Sequence, residues 1–304
     1  MKVNRLGLIG CGLMGGSFAL ALKQAGLVNR VVGYSPSDST RTKALTLGVI
    51  DEMAPSIPQA VQGADVVLLA VPVAATETSL VALAPALDDQ ALLMDVGSTK
   101  HDVVQAAQRS LGHKLPCFVP AHPIAGSERA GVEAAHAQLY QGQPLILTPT
   151  EQTAAPQLAQ AKSLWQALGC QVKSMTPQAH DATFAAVSHL PHLLAFAFIQ
   201  GLSGQPQGAD FMSLAGPGFR DFSRIAASDP VVWRDIFAAN ATDVLQQLGH
   251  FRRALDAFEN TLQAIAKHPT QTPNSPNAVL LQHLNTLEQQ IAQASAVRSQ
   301  WKAS

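Results

Sequence analysis

Only three cysteines occur in the 304 residues, Cys11, Cys117 and Cys170. An odd number without paired spacing argues against a disulfide framework or a cysteine-built metal site, and the apolar runs around each one predict reduced, buried thiols. No metal is expected. Charge is scarce as well: 20 Lys and Arg face 21 Asp and Glu, a formal net charge of −1, and no basic block is present. That balance suits neither nucleic acid nor an anionic membrane surface, so any anionic ligand must be held by a few local cations. Long hydrophobic runs are missing. Stretches such as 66–73 have strand length, far short of a bilayer span, and no charged segment precedes an apolar one at the start. A cytoplasmic protein without a membrane partner is expected. Apolar residues, at 47% of the chain, are ample for burial, and this length exceeds one ordinary core, so two domains are expected.

The chain opens with a strand, Lys2 to Ile9, that runs into Gly10-Cys11-Gly12-Leu13-Met14-Gly15-Gly16-Ser17 and then into the helical pattern of residues 18–23. A second strand, Arg30 to Tyr34, follows at the spacing of a βαβ unit. A bare G-x-G-x-x-G says little, but in this setting it predicts a dinucleotide site. Gly10 permits the tight turn, Gly12 lets the backbone approach a pyrophosphate, and Gly15 lets the helix pack on the sheet while its free N–H groups face the phosphates. Leu13 and Met14 belong to the same turn, and Val71 and Pro72 close the expected cofactor contacts beyond a later strand. In place of the acid that binds a ribose 2′-hydroxyl, the second strand ends in Ser35-Pro36-Ser37, with Asp38 three residues late. NADP is therefore preferred over NAD, which stays possible.

Short β-rich runs alternate with helical ones up to about residue 176. Residues 65–71, 91–96, 117–121, 144–148 and 171–175 read as strands, with 76–87 and 100–111 as crossover helices. The expected fold is α/β: an N-terminal Rossmann-type doubly wound sheet over 1–176, followed by an all-α domain over 177–304. Thr270 to Pro276 reads as a turn-rich linker before a final helix. The apolar faces of such a lobe favour dimerisation over a self-contained lobe, so a homodimer is expected.

Ligands of a doubly wound sheet lie beyond the carboxyl ends of its strands, where three polar segments point. Residues 95–100 include Ser98, and residues 121–128 carry His122 directly after a strand, held by Pro123. That placement suits a fixed acid–base group rather than a solvated side chain. In the helical half, Asp181, Ser188 and His192 project within roughly 20° of one another at about 100° per residue, one polar stripe on an apolar helix. His189-x-x-His192 lacks the Cys pair or Glu that would complete a metal set, and His189 also fits a buried histidine bonded to a carbonyl. Arg220 and Arg224 stand at i and i+4, where a guanidinium fork can grip a carboxylate, although Asp221 or Asp235 competes for one of them.

Taken together, the turn at 10–16 and the segments 95–100, 121–128, 188–192 and 219–235 resemble the prephenate and arogenate dehydrogenase family of tyrosine biosynthesis. The resemblance covers nearly the whole chain. It implies an NAD(P)-dependent oxidative decarboxylation of a cyclohexadienol. His122 would be the acceptor for the ring hydroxyl, Ser98, His192 and Arg224 would orient that hydroxyl and hold the carboxylates, and Glu128 would lie near the pocket mouth beside Ser127. Three other readings share the glycine turn. A β-hydroxyacid dehydrogenase needs a lysine early in its helical domain, yet after Thr176 the only lysines are Lys267 and Lys302. A pyrroline carboxylate reductase has no need of His122 with Arg224, and a non-catalytic NADP(H) sensor leaves both unexplained.

Overall fold

The computed structural model describes residues 2–126, 129–268 and 278–301. Six parallel strands form the main sheet: β1 (Val3–Ile9), β2 (Val28–Tyr34), β3 (Glu52–Met53), β4 (Val66–Leu69), β5 (Leu92–Asp95) and β6 (Phe118–Val119), in the order β3-β2-β1-β4-β5-β6. The strands are apolar on both faces because both faces are covered. Val66, Leu68, Leu92 and Met94 join one core with Phe18 and Trp165, whereas Val67, Leu69 and Leu93 join the other with Leu80 and Val103. Helices α1 (Leu13–Gln24) and α2 (Asp38–Thr46) follow β1 and β2. Helices α3 (Ile57–Val61), α4 (Thr76–Leu83) and α5 (His101–Ser110) bring residues to the second core.

The strand expected over 117–121 is split. Pro120 cannot donate to a ladder, so β6 ends at Val119 and β7 (Ala121–Pro123) leaves the parallel sheet. It pairs antiparallel with β8 (Pro144–Leu147), which pairs parallel with β9 (Gln171–Ser174), giving a separate three-stranded sheet. Between those two strands α6 (Ala155–Ala167) brings Trp165 into the core, its Nε1–H directed at Met94 Sδ at 3.3 Å.

After Thr176, whose hydroxyl caps the next helix, every described element is helical. These are α7 (Pro177–Phe184), α8 (Leu190–Ser203), α9 (Gly208–Ser213), α10 (Pro217–Ser223), α11 (Pro230–Ala239), α12 (Ala241–Lys267) and α13 (Ala278–Gln300). A π-helical turn, Ala185–His189, joins α7 to α8, directly before Pro191, which cannot supply the N–H of a regular turn. An 18-residue stretch within the run Pro177–Ser203 has a mean hydropathy of 1.6, enough by length and composition to cross a membrane. Its polar residues hide that length in the sequence, and hydrogen bonds from its first turns into α5 tie it to the α/β part.

Two compact units divide the chain after Ala241, because α7 and α11 pack on the sheet-bearing part. The second unit is α12 and α13, joined by a bond from Gln290 to the Ala257 carbonyl at 3.3 Å. The linker expected over 270–276 lies outside the described residues. All three cysteines are free and buried, and burial pushes the thiols of Cys11 and Cys170 up to about 12.

Gly10 has φ +98°, and a Cβ there would stand 2.1 Å from the Ala70 carbonyl oxygen. Gly10→Ala is therefore expected to cost roughly 3 kcal/mol or more of stability, read as a drop of about 6 °C or more in Tm. An unchanged Tm would show that the turn can relax.

Candidate active site

The strand order reverses between β1 and β4, and the carboxyl end of β1 leads into the glycine turn at that point. A Cβ on Gly15 would stand 2.1 Å from the Gly10 carbonyl oxygen, so α1 can approach the turn only without one. At Gly12 an added Cβ would meet no protein atom within 4 Å. The chain's own packing does not demand a glycine there; a dinucleotide backbone does. Gly12 caps α1 without a side-chain bond, which leaves the first N–H groups of α1 to an anion, and Tyr140 Oη donates to the Met14 carbonyl at 2.6 Å, fixing the turn from behind. Leu13 and Val71 are half-buried at the crevice, and Pro72 is exposed beyond β4.

At the end of β2, Ser35 is buried and its carbonyl accepts from the Arg41 guanidinium, which also pairs with Asp38 and lies 5.6 Å from the Tyr34 ring centre. The Ser37 hydroxyl accepts from Thr40 N–H at the start of α2. These residues fit a dinucleotide whose ribose end reaches a cation.

Beyond β5 and β7 stands a set of buried polar groups. Asp95 accepts from Ala121 N–H at 3.0 Å through Oδ1, and through Oδ2 it takes Gly97 N–H and pairs with Lys100 Nζ, which has no exposure. The carboxyl end of β5 and the start of β7 are thus tied together, with half-buried Ser98 on the intervening loop and His122 next to Ala121. His122 Nδ1 lies 2.8 Å from His180 Nε2, and His180 Nδ1 lies 2.6 Å from Asp181 Oδ1. Phe184 walls both rings, at centroid distances of 4.9 and 4.5 Å. His122 is densely surrounded yet reaches the surface. Burial holds its imidazole well below the ordinary 6.5, and positive charge at His180, Lys100 or His189 pushes it the same way. It is a neutral base at neutral pH.

The helical residues are arranged differently from the expected stripe. The π turn breaks the 100° step between Asp181 and His192, so Asp181 and His189 are buried while Ser188 and His192 are half-buried. His189 is 1% exposed, and its Nδ1 lies 3.1 Å from the Asn240 amide nitrogen, which also donates to the Asp181 carbonyl. Burial lowers its pKa to about 4. This is a neutral core histidine, though its partner is an amide rather than the carbonyl weighed from sequence. His192 stacks on Trp233 at 3.6 Å and donates from Nδ1 to the Ser188 carbonyl at 2.9 Å. Burial lowers its pKa, and the charge of Arg224 adds to that lowering, which places Arg224 within electrostatic reach.

α10 ends at Ser223, with Arg224 as its helical C-cap and the first residue of a 3₁₀ turn. Arg220 is exposed and faces Asp221 at 3.6 Å. Ser127 and Glu128 lie outside the described residues. His180, Trp233 and Asn240 were not among the sequence candidates; the one local signal was His180 beside Asp181 on an apolar helix.

Two family sequence models match the chain: "Prephenate dehydrogenase, nucleotide-binding domain" over residues 18–174 and "Prephenate dehydrogenase, dimerization domain" over 176–271. The chain belongs to the prephenate dehydrogenase family. Among relatives in that family, the cyclohexadienyl dehydrogenase of Zymomonas mobilis is 38% identical over 250 residues, 82% of this chain and 85% of that protein. The prephenate dehydrogenase of Bacillus subtilis is 37% identical over 258 residues, 84% of this chain and 69% of that protein. The crystal structure of prephenate dehydrogenase from A. aeolicus with hydroxyphenyl propionate and NAD+ has a TM-score of 0.82 and 34% identity, covering 97% of this chain and 99% of that one.

A buried carboxylate left without its cation is costly, so Lys100→Met is expected to lower the unfolding free energy by about 3–5 kcal/mol. Urea unfolding followed by circular dichroism measures it, and a loss below about 1 kcal/mol would show that Asp95 finds other partners.

Proposed function

We propose that this chain catalyses the NAD(P)-dependent oxidative decarboxylation of prephenate to 4-hydroxyphenylpyruvate, of arogenate to tyrosine, or of both. The observation that carries the reading is His122: a neutral imidazole on β7, with Nδ1 engaged by His180 and Nε2 as the nitrogen that takes a substrate proton. Family membership supports the same reaction.

The residues divide the work. His122 Nε2 accepts the proton of the ring hydroxyl as the carbinol carbon is oxidised. A bound nicotinamide supplies the hydride acceptor. The bond from the ring to its carboxylate then breaks, its electron pair completes the aromatic ring, and His122 returns the proton to the phenolate oxygen. Aromatisation supplies the driving force, so the protein's task is positioning and polarisation. Arg224 is the cation that holds a substrate carboxylate, His192 stacked on Trp233 forms the wall beside it, and Ser98 orients the ring hydroxyl.

NADP is the preferred cofactor, because the position after β2 carries Ser35 rather than an acid and Arg41 lies within reach of a 2′-phosphate. The working form is a homodimer built by the 177–304 domain. Val187, Phe198, Phe211, Leu214 and Phe222 leave large apolar groups exposed there, Leu214 at 87%.

His122→Asn is expected to lower kcat by about 10²–10⁴-fold with little change in KM. In the wild type the acid limb of kcat/KM should fall below pH 6.5, because the base stays neutral until protons overcome its burial. Assays at both cofactors with both substrates test the whole reading. Turnover of neither substrate would overturn it, and a higher kcat/KM with NAD would overturn the cofactor preference alone.

A further inference from the structure

His180 and Asp181 have no part in the roles assigned above, yet they are among the most buried polar groups in the chain, 0% and 2% exposed. Both lie on α7, which packs against α5. Asp181 Oδ1 accepts the Lys100 N–H at 2.8 Å and also meets His180 Nδ1, while Oδ2 accepts the His101 N–H at 2.8 Å. Burial works against the charge of Asp181, but the bonds from His180, His101 and Lys100 outweigh it and hold the carboxyl below its ordinary range. It is an acceptor only.

That end fixes the direction of every hydrogen in the row. His180 must carry its proton on Nδ1 to meet the carboxylate. Burial keeps His180 neutral, against the pull of Asp181, so its lone pair is on Nε2, 2.8 Å from His122 Nδ1. His122 Nδ1 then donates, and the lone pair of His122 is on Nε2. The other charged or titratable groups facing the pair are committed elsewhere: Lys100 to Asp95, and His189 to Asn240.

We propose that His180, oriented by Asp181, is a positioning residue that locks His122 in the Nδ1–H tautomer and so keeps Nε2 free to take the substrate proton. Without an acceptor at Nδ1, the proton can sit on Nε2 instead, and a ring protonated there cannot act as the base. When Nε2 takes the hydroxyl proton, the positive charge is shared through Nδ1–H toward His180 and Asp181, and the proton count of the row returns to its start when the phenol forms. The inference rests on His122 being the base.

The test uses the full chain. In wild-type protein labelled with ¹⁵N at histidine, His122 is expected to show a protonated Nδ1 and an unprotonated Nε2; the opposite tautomer overturns the proposal. His180→Leu is expected to lower kcat by about 10–1,000-fold with KM and the cofactor Kd within about twofold. His180→Gln, whose Oε1 still accepts from Nδ1–H, should recover most of that loss. A folded His180→Leu with wild-type kcat, or Gln no better than Leu, overturns the positioning role, and if Leu does not fold, the Gln variant and the wild-type tautomer still decide. His122→Asn separates the two layers. If it is inactive while His180→Leu turns over normally, only the positioning role fails; if it retains full turnover, the base assignment fails.

Discussion

Asp181 takes the first backbone N–H groups of α5 and the Nδ1–H of His180 at the same time, and through those bonds α7 is registered to the sheet. A helix N-terminus favours an anion there, since its leading N–H groups have no partner inside the helix. The bonds continue into a closed ring. Asp95 grips Lys100, the backbone of Lys100 grips Asp181, Asp181 holds His180, His180 holds His122, and the neighbouring Ala121 N–H returns to Asp95. Six residues from β5, the following loop, β7 and α7 constrain one another, so no single rotamer can move alone. The position of His122 is over-determined, as the role proposed for it requires.

What the sequence made legible was whatever is encoded locally. The glycine turn sits between a strand and a helix, so it could be placed without tertiary information, whereas His122, expected just after a strand, lies inside β7 and pairs with Ile146. Placement of the helical residues failed for a definite reason. Projection at 100° per residue assumes an unbroken α-helix, and the π turn at Ala185–His189 rotates everything after it relative to Asp181. Pairings such as His192 with Trp233, or Asn240 with His189, join positions separated by 41 and 51 residues and have no local signature. The strand expected over 117–121 is broken at Pro120, whose missing N–H ends β6 and lets β7 leave the parallel sheet.

Apolar strands packed on both faces leave little freedom at their ends, and the glycine turn and Ser98 follow such ends, while His122 is fixed within β7 by its pairing to β8. Residues from α7 to α11 arrive as side chains on a lobe rich in exposed apolar groups.

The two cations assigned to the site differ in one respect that matters in solution. Lys100 has no contact with solvent, whereas Arg224 is exposed. Mobile ions cannot enter between Lys100 and Asp95, but they crowd around an open guanidinium, where the Debye length is only about 8 Å at physiological ionic strength. On the role proposed for Arg224, rising salt weakens capture of an anionic substrate long before it disturbs the Lys100–Asp95 pair, so ionic strength acts as a dial on affinity.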